Sequence, residues 1–210
     1  MGTAPENSLK SINEALKAGV DGVEFDVWYR GGRLICSHDG PDRDPNFNKM
    51  PTLERVLDTI GKFKRQKPVT AYIELKGPET AEPVAKIIKK YLKSGWKTSD
   101  FIIVSFQSLE LERFRKMNAS IAVHLNMGVR QGFASRRVIK KAVALAAAAI
   151  QPSRRVTTKG LVKAAHAAGL KVVPYHIRTT RELKNMVKLG VDGVIVDFPA
   201  KAKEILRGQL

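Results

Sequence analysis

Residues 18–27 read AGVDGVEFDV, and residues 189–198 repeat the figure as LGVDGVIVDF. In both, a glycine ends a helical run and an apolar, β-branched run follows at once, the mark of a helix-to-strand return. Residues 167–173 (AAGLKVV) make a third such return. Outward from these points the alternation fills the chain. Strands are expected at residues 22–27, 69–75, 101–105, 121–125, 149–151, 171–175 and 193–196. Helices are expected at 8–18, from Thr52 onward, at 81–94, 109–116, 138–147, 158–168 and 180–189, and at the end of the chain.

Strands separated by helices imply a parallel sheet with helical crossovers. No glycine-rich fingerprint follows a first strand and the residues open on a helix, which argues against a dinucleotide-binding sheet. A further short strand, residues 34–38, is joined to 22–27 by the tight Gly31-Gly32 turn and reads as an excursion outside the wall. That leaves seven crossover-linked strands, one short of the eight in a closed barrel. The expected fold is therefore α/β, a (β/α)8 TIM barrel lacking its first strand, in a single domain over residues 1–210.

Composition sets the class but not the chemistry. The 210 residues are 43% hydrophobic and 27% charged, which suits a globular domain with a sizeable core. The one cysteine, Cys36, excludes an internal disulfide. The alanine-rich run near residues 142–150 follows Lys140 and Lys141 and is too short to span a bilayer. No transmembrane segment and a cytoplasmic location are expected. A formal net charge of +17 draws anions, whether phosphorylated small molecules, nucleic acid or an anionic membrane. Solvated helix faces account for most of it, as in Lys86, Lys89, Lys90 and Lys93.

The acidic residues are more specific. Strand side chains alternate, so Glu24 and Asp26 share one face while Val23, Phe25 and Val27 take the other. Two carboxylates pointing inward at a strand end repel one another and lose hydration, unless a cation joins them. Glu74 and Lys76 repeat the pattern on the next strand, at the C-terminal end where barrel enzymes keep their sites. A buried ion pair with Lys76 would explain one such motif; two converging strands favour a metal. Three oxygen ligands suit one divalent cation, Mg²⁺ or Ca²⁺. His38, with Asp39, stands just past the hairpin strand, where it could serve as an acid or base.

In order, GTAPENS (residues 2–8), GVDGVEFDV, LICSHD, PTLERVL, YIELK, Ser105-Phe106 and VDGVIVDFP resemble the glycerophosphodiester phosphodiesterase family. The resemblance covers nearly the whole chain. It implies a barrel that hydrolyses small-molecule glycerophosphodiesters to glycerol 3-phosphate and an alcohol. It also implies Glu24, Asp26 and Glu74 as metal ligands, His38 as one of two acid/base catalysts, Lys76 on the phosphate and Phe106 lining the pocket.

Three departures from the family pattern stand out. The family's first strand ends in His-Arg-Gly shortly before the segment matching Pro5-Glu6-Asn7, and residues 1–210 begin after it. Met1 is thus expected to be an internal methionine. Activity of these residues alone is expected to be low, and the open seam would invite a homodimer. The cap insertion is reduced to about residues 39–51. The family's Trp-Thr-Val-Asn appears as Tyr175-His176-Ile177-Arg178. Tyr175 keeps an aromatic wall; if it points in, alternation turns His176 away from the pocket, and the lesser alternative is that His176 replaces the absent histidine. Arg178 binds the phosphate or the cap, or is a solvated loop arginine. His124 and His166 read as structural, and Asp197 either buttresses the metal or caps the last helix. The competing reading is a catalytically dead barrel that holds a phosphorylated ligand or nucleic acid on its basic surface. For the enzyme, no obligatory nucleic-acid partner is expected.

Overall fold

The computed structural model describes residues 4–64, 67–132 and 134–208. Met1 and the first two residues of the GTAPENS motif, Gly2 and Thr3, lie outside them. The chain divides into two compact units, residues 2–122 and 123–210.

The first unit runs α1 (Leu9–Lys17), β1 (Gly22–Arg30), β2 (Arg33–Cys36), α2 (Leu53–Lys64), β3 (Thr70–Leu75), α3 (Ala81–Lys93), β4 (Phe101–Ser105) and α4 (Ser108–Met117). Ser8 caps α1, its hydroxyl accepting from the Ser11 N–H at 3.1 Å. β1 pairs in parallel with β3 along residues 22–27, and β3 pairs in parallel with β4. β2 instead pairs antiparallel with the far part of β1, residues 27–30. The hairpin thus overhangs the C-terminal end of β1, as its glycine turn implies. β2 ends at Cys36, two residues earlier than the sequence suggests, and His38 stands in the following loop.

Alternation along β1 and β3 sends Val23, Phe25, Val27, Ala71, Ile73 and Leu75 into the core. From α2, Leu53, Val56, Leu57 and Ile60 are all fully buried. Removing each such side chain from water contributes roughly 2 kcal/mol. This is the helix face that the spacing marks, and it leaves the opposite column of β1 and β3 to polar residues.

The second unit runs β5 (Ala122–Met127), α5 (Val129–Gly132), α6 (Ser135–Ala144), β6 (Ala149–Pro152), α7 (Lys159–Ala167), β7 (Lys171–Val172), α8 (Thr180–Lys188) and α9 (Pro199–Arg207). β5, β6 and β7 pair in parallel in that order. β7 is shorter than its sequence suggests because Pro174 has no N–H to give to a ladder. Its extended course still continues, with the Val173 N–H donating to Ile150 O and the Tyr175 N–H to Pro152 O. The strand expected at 193–196 is reduced to separate contacts. Asp192 N–H donates to Val172 O, Ile195 N–H donates to Pro174 O, and Ile177 bridges to Val196. His176, at φ +60°, breaks the extended run, so the alternation argument for its direction does not apply there. The N-cap position of α9 is Phe198, without a side-chain bond, so Asp197 does not cap that helix.

His124 is buried on β5 and takes a 2.9 Å hydrogen bond from the Gln151 amide. His166 lies 2.9 Å from Asp192, which also accepts from the Val172 N–H. Both histidines therefore sit in local hydrogen-bonded pairs. Among the described residues, no helix is long and apolar enough to cross a membrane.

Candidate active site

The register of β1 on β3 sets Asp26 beside Glu74, and Glu24 shares their column. One carboxylate oxygen from each of Glu24, Asp26 and Glu74 lies within 4.8 Å of the others. Asp26 and Glu74 are buried, and Glu24 is partly exposed. Lys76 follows β3 and continues its pairing, with its N–H on Val27 O. Its Nζ stands 3.2 Å from Glu74 Oε1 and 3.4 Å from Asp26 Oδ1.

The electrostatics of the cluster follow from that crowding. Burial, and then the charges of Asp26 and Glu74, push the Glu24 carboxyl well above its usual range, with Lys76 pulling the other way. Burial also works against the charge on Lys76, but Asp26 and Glu74 outweigh it and hold the ammonium above its ordinary value. One ammonium does not balance three carboxylates. The donor set is all oxygen, compact and short of positive charge, and so fits a hard divalent cation.

Asp26 is itself held. Its N–H donates to Asn7 Oδ1 and its Oδ2 accepts from Asn7 Nδ2, each at 2.9 Å. Asn7 is buried with φ +57°, in a turn closed by the Ser8 N–H on Pro5 O. Asparagine tolerates that backbone and also brings an amide. The sequence reading used Asn7 only as a motif letter and missed this contact.

The loops beyond the strands are also fixed. Ser105 Oγ donates to Leu75 O, and Gln107 Nε2 donates to Lys76 O, both at 2.7 Å. Phe106 lies between these two tethers and is 40% exposed. Buried Glu110 accepts from the N–H groups of Glu79 and Ala81, pinning the turn after Lys76. Trp28, two positions beyond Asp26 in the same column, packs between Gly40 and Gly77. A Cβ on either glycine would come within 3.0 or 2.8 Å of the indole. The Trp28 Nε1 is buried and makes no hydrogen bond among the described residues. His38 lies between these features in sequence, about half exposed, with Nδ1 3.5 Å from Asp39.

Tyr175 and Arg178 belong to the second unit. The Tyr175 hydroxyl donates to Met127 O at 3.4 Å, and its ring meets His176 edge-on at 4.8 Å. Arg178 is exposed and its N–H donates to Glu182 at the start of α8.

Residues 1–49 and 40–201 match the Glycerophosphoryl diester phosphodiesterase family. The chain belongs to that family. It is 26% identical to the glycerophosphodiester phosphodiesterase of Caldanaerobacter subterraneus subsp. tengcongensis, over 97% of this chain and 93% of that one. It is 25% identical to the enzyme of the same name from Bacillus altitudinis, over 97% and 94%. Among solved structures it resembles an Oleispira antarctica phosphodiesterase in complex with the product sn-glycerol-3-phosphate. That match has a TM-score of 0.79 and 22% identity, over 97% of this chain and 92% of the other. It also resembles the Parabacteroides distasonis glycerophosphodiester phosphodiesterase, with a TM-score of 0.78 and 19% identity, over 97% and 90%. These likenesses show the fold, α/β of the (β/α)8 TIM-barrel class. The family match spans the strands that carry the carboxylate cluster.

Proposed function

We propose that this chain hydrolyses glycerophosphodiesters to glycerol 3-phosphate and an alcohol, with one divalent cation, Mg²⁺ or Ca²⁺, on Glu24, Asp26 and Glu74. The observation that carries the reading is the meeting of those three carboxylates within 4.8 Å in a member of this family. The product bound to the Oleispira antarctica relative supports the substrate class. The cation would neutralise charge on the non-bridging phosphate oxygens.

The chain's own residues do the rest. Lys76 holds one phosphate oxygen and keeps its charge because two carboxylates face it. Water forms the new P–O bond as the P–O bond to the alcohol breaks. Alternatively the glycerol 2-hydroxyl attacks first, expelling the alcohol and leaving a cyclic glycerophosphate. Water then opens that ring at its P–O2 bond to give glycerol 3-phosphate. A base takes the attacking group's proton and an acid returns one to the leaving alkoxide, and His38 fills one of these roles. Phe106, exposed in the tethered loop after β4, lines the pocket beside the cluster. Residues 1–210 act as one catalytic domain in the cytoplasm.

The test is release of glycerol 3-phosphate from glycerophosphocholine and glycerophosphoglycerol, with Mg²⁺, with Ca²⁺ and with chelator. Metal-dependent release supports the reading. No release, together with salt-sensitive binding to nucleic acid, overturns it in favour of an anion-binding barrel with +17 net charge.

A further inference from the structure

We propose that the basic face of α6, extended by α7, docks the second unit on an anionic lipid surface. Charge is spread unevenly along the chain. Residues 123–210 carry seventeen Lys and Arg against four Asp and Glu, whereas residues 2–122 carry twenty against sixteen. Between Glu112 and Glu182 there is no acidic residue, and there are fifteen basic ones.

α6 concentrates that excess. Arg136, Arg137, Lys140 and Lys141 are all exposed, and they set like charge against like charge four residues apart. The two arginines stand in the first turn, at the positive end of the helix dipole, with no acid there to offset them. α7 packs beside α6 and starts in the same way, with exposed Lys159 and Lys163 and no acid in its first turn. The acids of the unit are engaged with other partners, Glu182 with Arg154, Asp192 with His166 and Glu204 with Lys201. Among the described residues none of the six cations on these two helices forms an ion pair. In the first unit, by contrast, the lysines of α3 follow Glu82, which pairs with Lys86 at 2.8 Å. Stacked cations weaken a helix by themselves, and an anion from outside removes that penalty.

The rest of the face favours lipid over nucleic acid. Val143, one turn from Lys140 and two from Arg136, is 50% exposed, and Val129 on α5 is 43% exposed. Neither α6 nor α7 has an Asn, Gln, Phe, Tyr or Trp with which to read a base or stack on one. Lys and Arg around an exposed aliphatic side chain suit a helix lying in a headgroup layer. Each Lys or Arg near an anionic bilayer is worth about fivefold in affinity, so a cluster of this size gives reversible, salt-sensitive attachment.

Cosedimentation of the full chain with lipid vesicles tests this without reference to turnover. The chain is expected to sediment with vesicles of phosphatidylglycerol in phosphatidylcholine, to be released by high salt, and to ignore phosphatidylcholine alone. The double variant Arg136→Glu, Arg137→Glu is expected to lower vesicle affinity by about tenfold or more. Its melting temperature is expected to stay level or rise, because acids suit a first helical turn. The double variant Lys89→Glu, Lys93→Glu, on exposed positions of α3, makes the same change in net charge. It is expected to lower affinity by no more than about threefold. Equal losses in the two variants overturn the proposal, because attachment then follows total charge and not this face. A wild type that does not sediment with the anionic vesicles overturns it whatever the variants do. Duplex DNA bound at a salt concentration that leaves the vesicles unbound overturns it in favour of a nucleic-acid surface.

Discussion

Lys76 Nζ, just past the end of β3, lies 3.2 Å from the Oε1 of Glu74 two residues earlier and closes on Asp26 from the same position. The ammonium offsets the carboxylates and, in the proposed reaction, also meets the phosphate. Lys76→Met is expected to reduce turnover about a hundred- to thousand-fold. In chelator it should also cost roughly 1–3 kcal/mol of stability, because buried carboxylates lose a partner. Added divalent cation should recover most of that loss in denaturant titrations. Equal destabilisation with and without metal would break the link between Lys76 and the cluster.

Glu24 gives the opposite sign. Its carboxyl is pushed up by burial and by its acidic neighbours, so the metal-free fold favours the protonated form. That contribution is present at low pH and is lost as pH rises through the raised value. Glu24→Gln is therefore expected to raise the melting temperature in chelator at neutral pH and to flatten its fall with pH. The same change should abolish the rise in melting temperature on adding Mg²⁺ or Ca²⁺. Melting curves across pH, with and without metal, read both effects.

His38 is about half exposed and its contact with Asp39 is a long surface pair, worth little to stability. His38→Ala should leave the melting temperature unchanged while turnover falls roughly a hundred- to ten-thousand-fold. If His38 is the acid, a substrate with a p-nitrophenol leaving group should recover much of the loss. If it is the base, that substrate should recover none.

Strand parity put Glu24, Asp26 and Glu74 together from sequence because a period of two is rigid once the apolar column is known. The buried face of α2 was legible for the same reason. The Asn7 clamp was not, because it joins residues nineteen apart through a side chain in a left-handed turn. Nor was the shortness of β7, where one missing N–H at Pro174 outweighs an apolar run that reads as a full strand. Trp28 shares the parity of Glu24 and Asp26 and could have been noticed. The two glycine slots that hold it come from loops far apart in sequence.

Those slots make a direct prediction. A Cβ at Gly77 would stand 2.8 Å from the Trp28 ring, whereas one at Gly160 meets nothing closer than Thr158 Oγ1 at 3.9 Å. Gly77→Ala is expected to cost about 1–3 kcal/mol and to lower activity, because it moves the residue next to Lys76. Gly160→Ala, in α7, is expected to be neutral or to gain about 0.5–1 kcal/mol. Urea titrations of the two variants compare them in one experiment.

The last prediction concerns pH and a residue outside the carboxylate cluster. His124 is buried and held neutral, its pKa lowered to about 4 by burial, with a smaller push from Lys171. The Gln151 amide donates to Nδ1, a bond that a protonated ring could not accept. Unfolding returns the histidine to its ordinary value near 6.5, so between about pH 6.5 and 4 the unfolded chain binds the extra proton. The contribution is whole above about pH 6.5 and is lost progressively as pH falls to about 4, reaching about 3 kcal/mol. Other groups titrate in the same window, so the measurement is a difference: wild type against His124→Gln, each denatured in urea at neutral pH and at mildly acid pH. The wild type is expected to lose more stability on acidification than the variant does. Parallel losses in the two proteins would mean that His124 takes up its proton without unfolding.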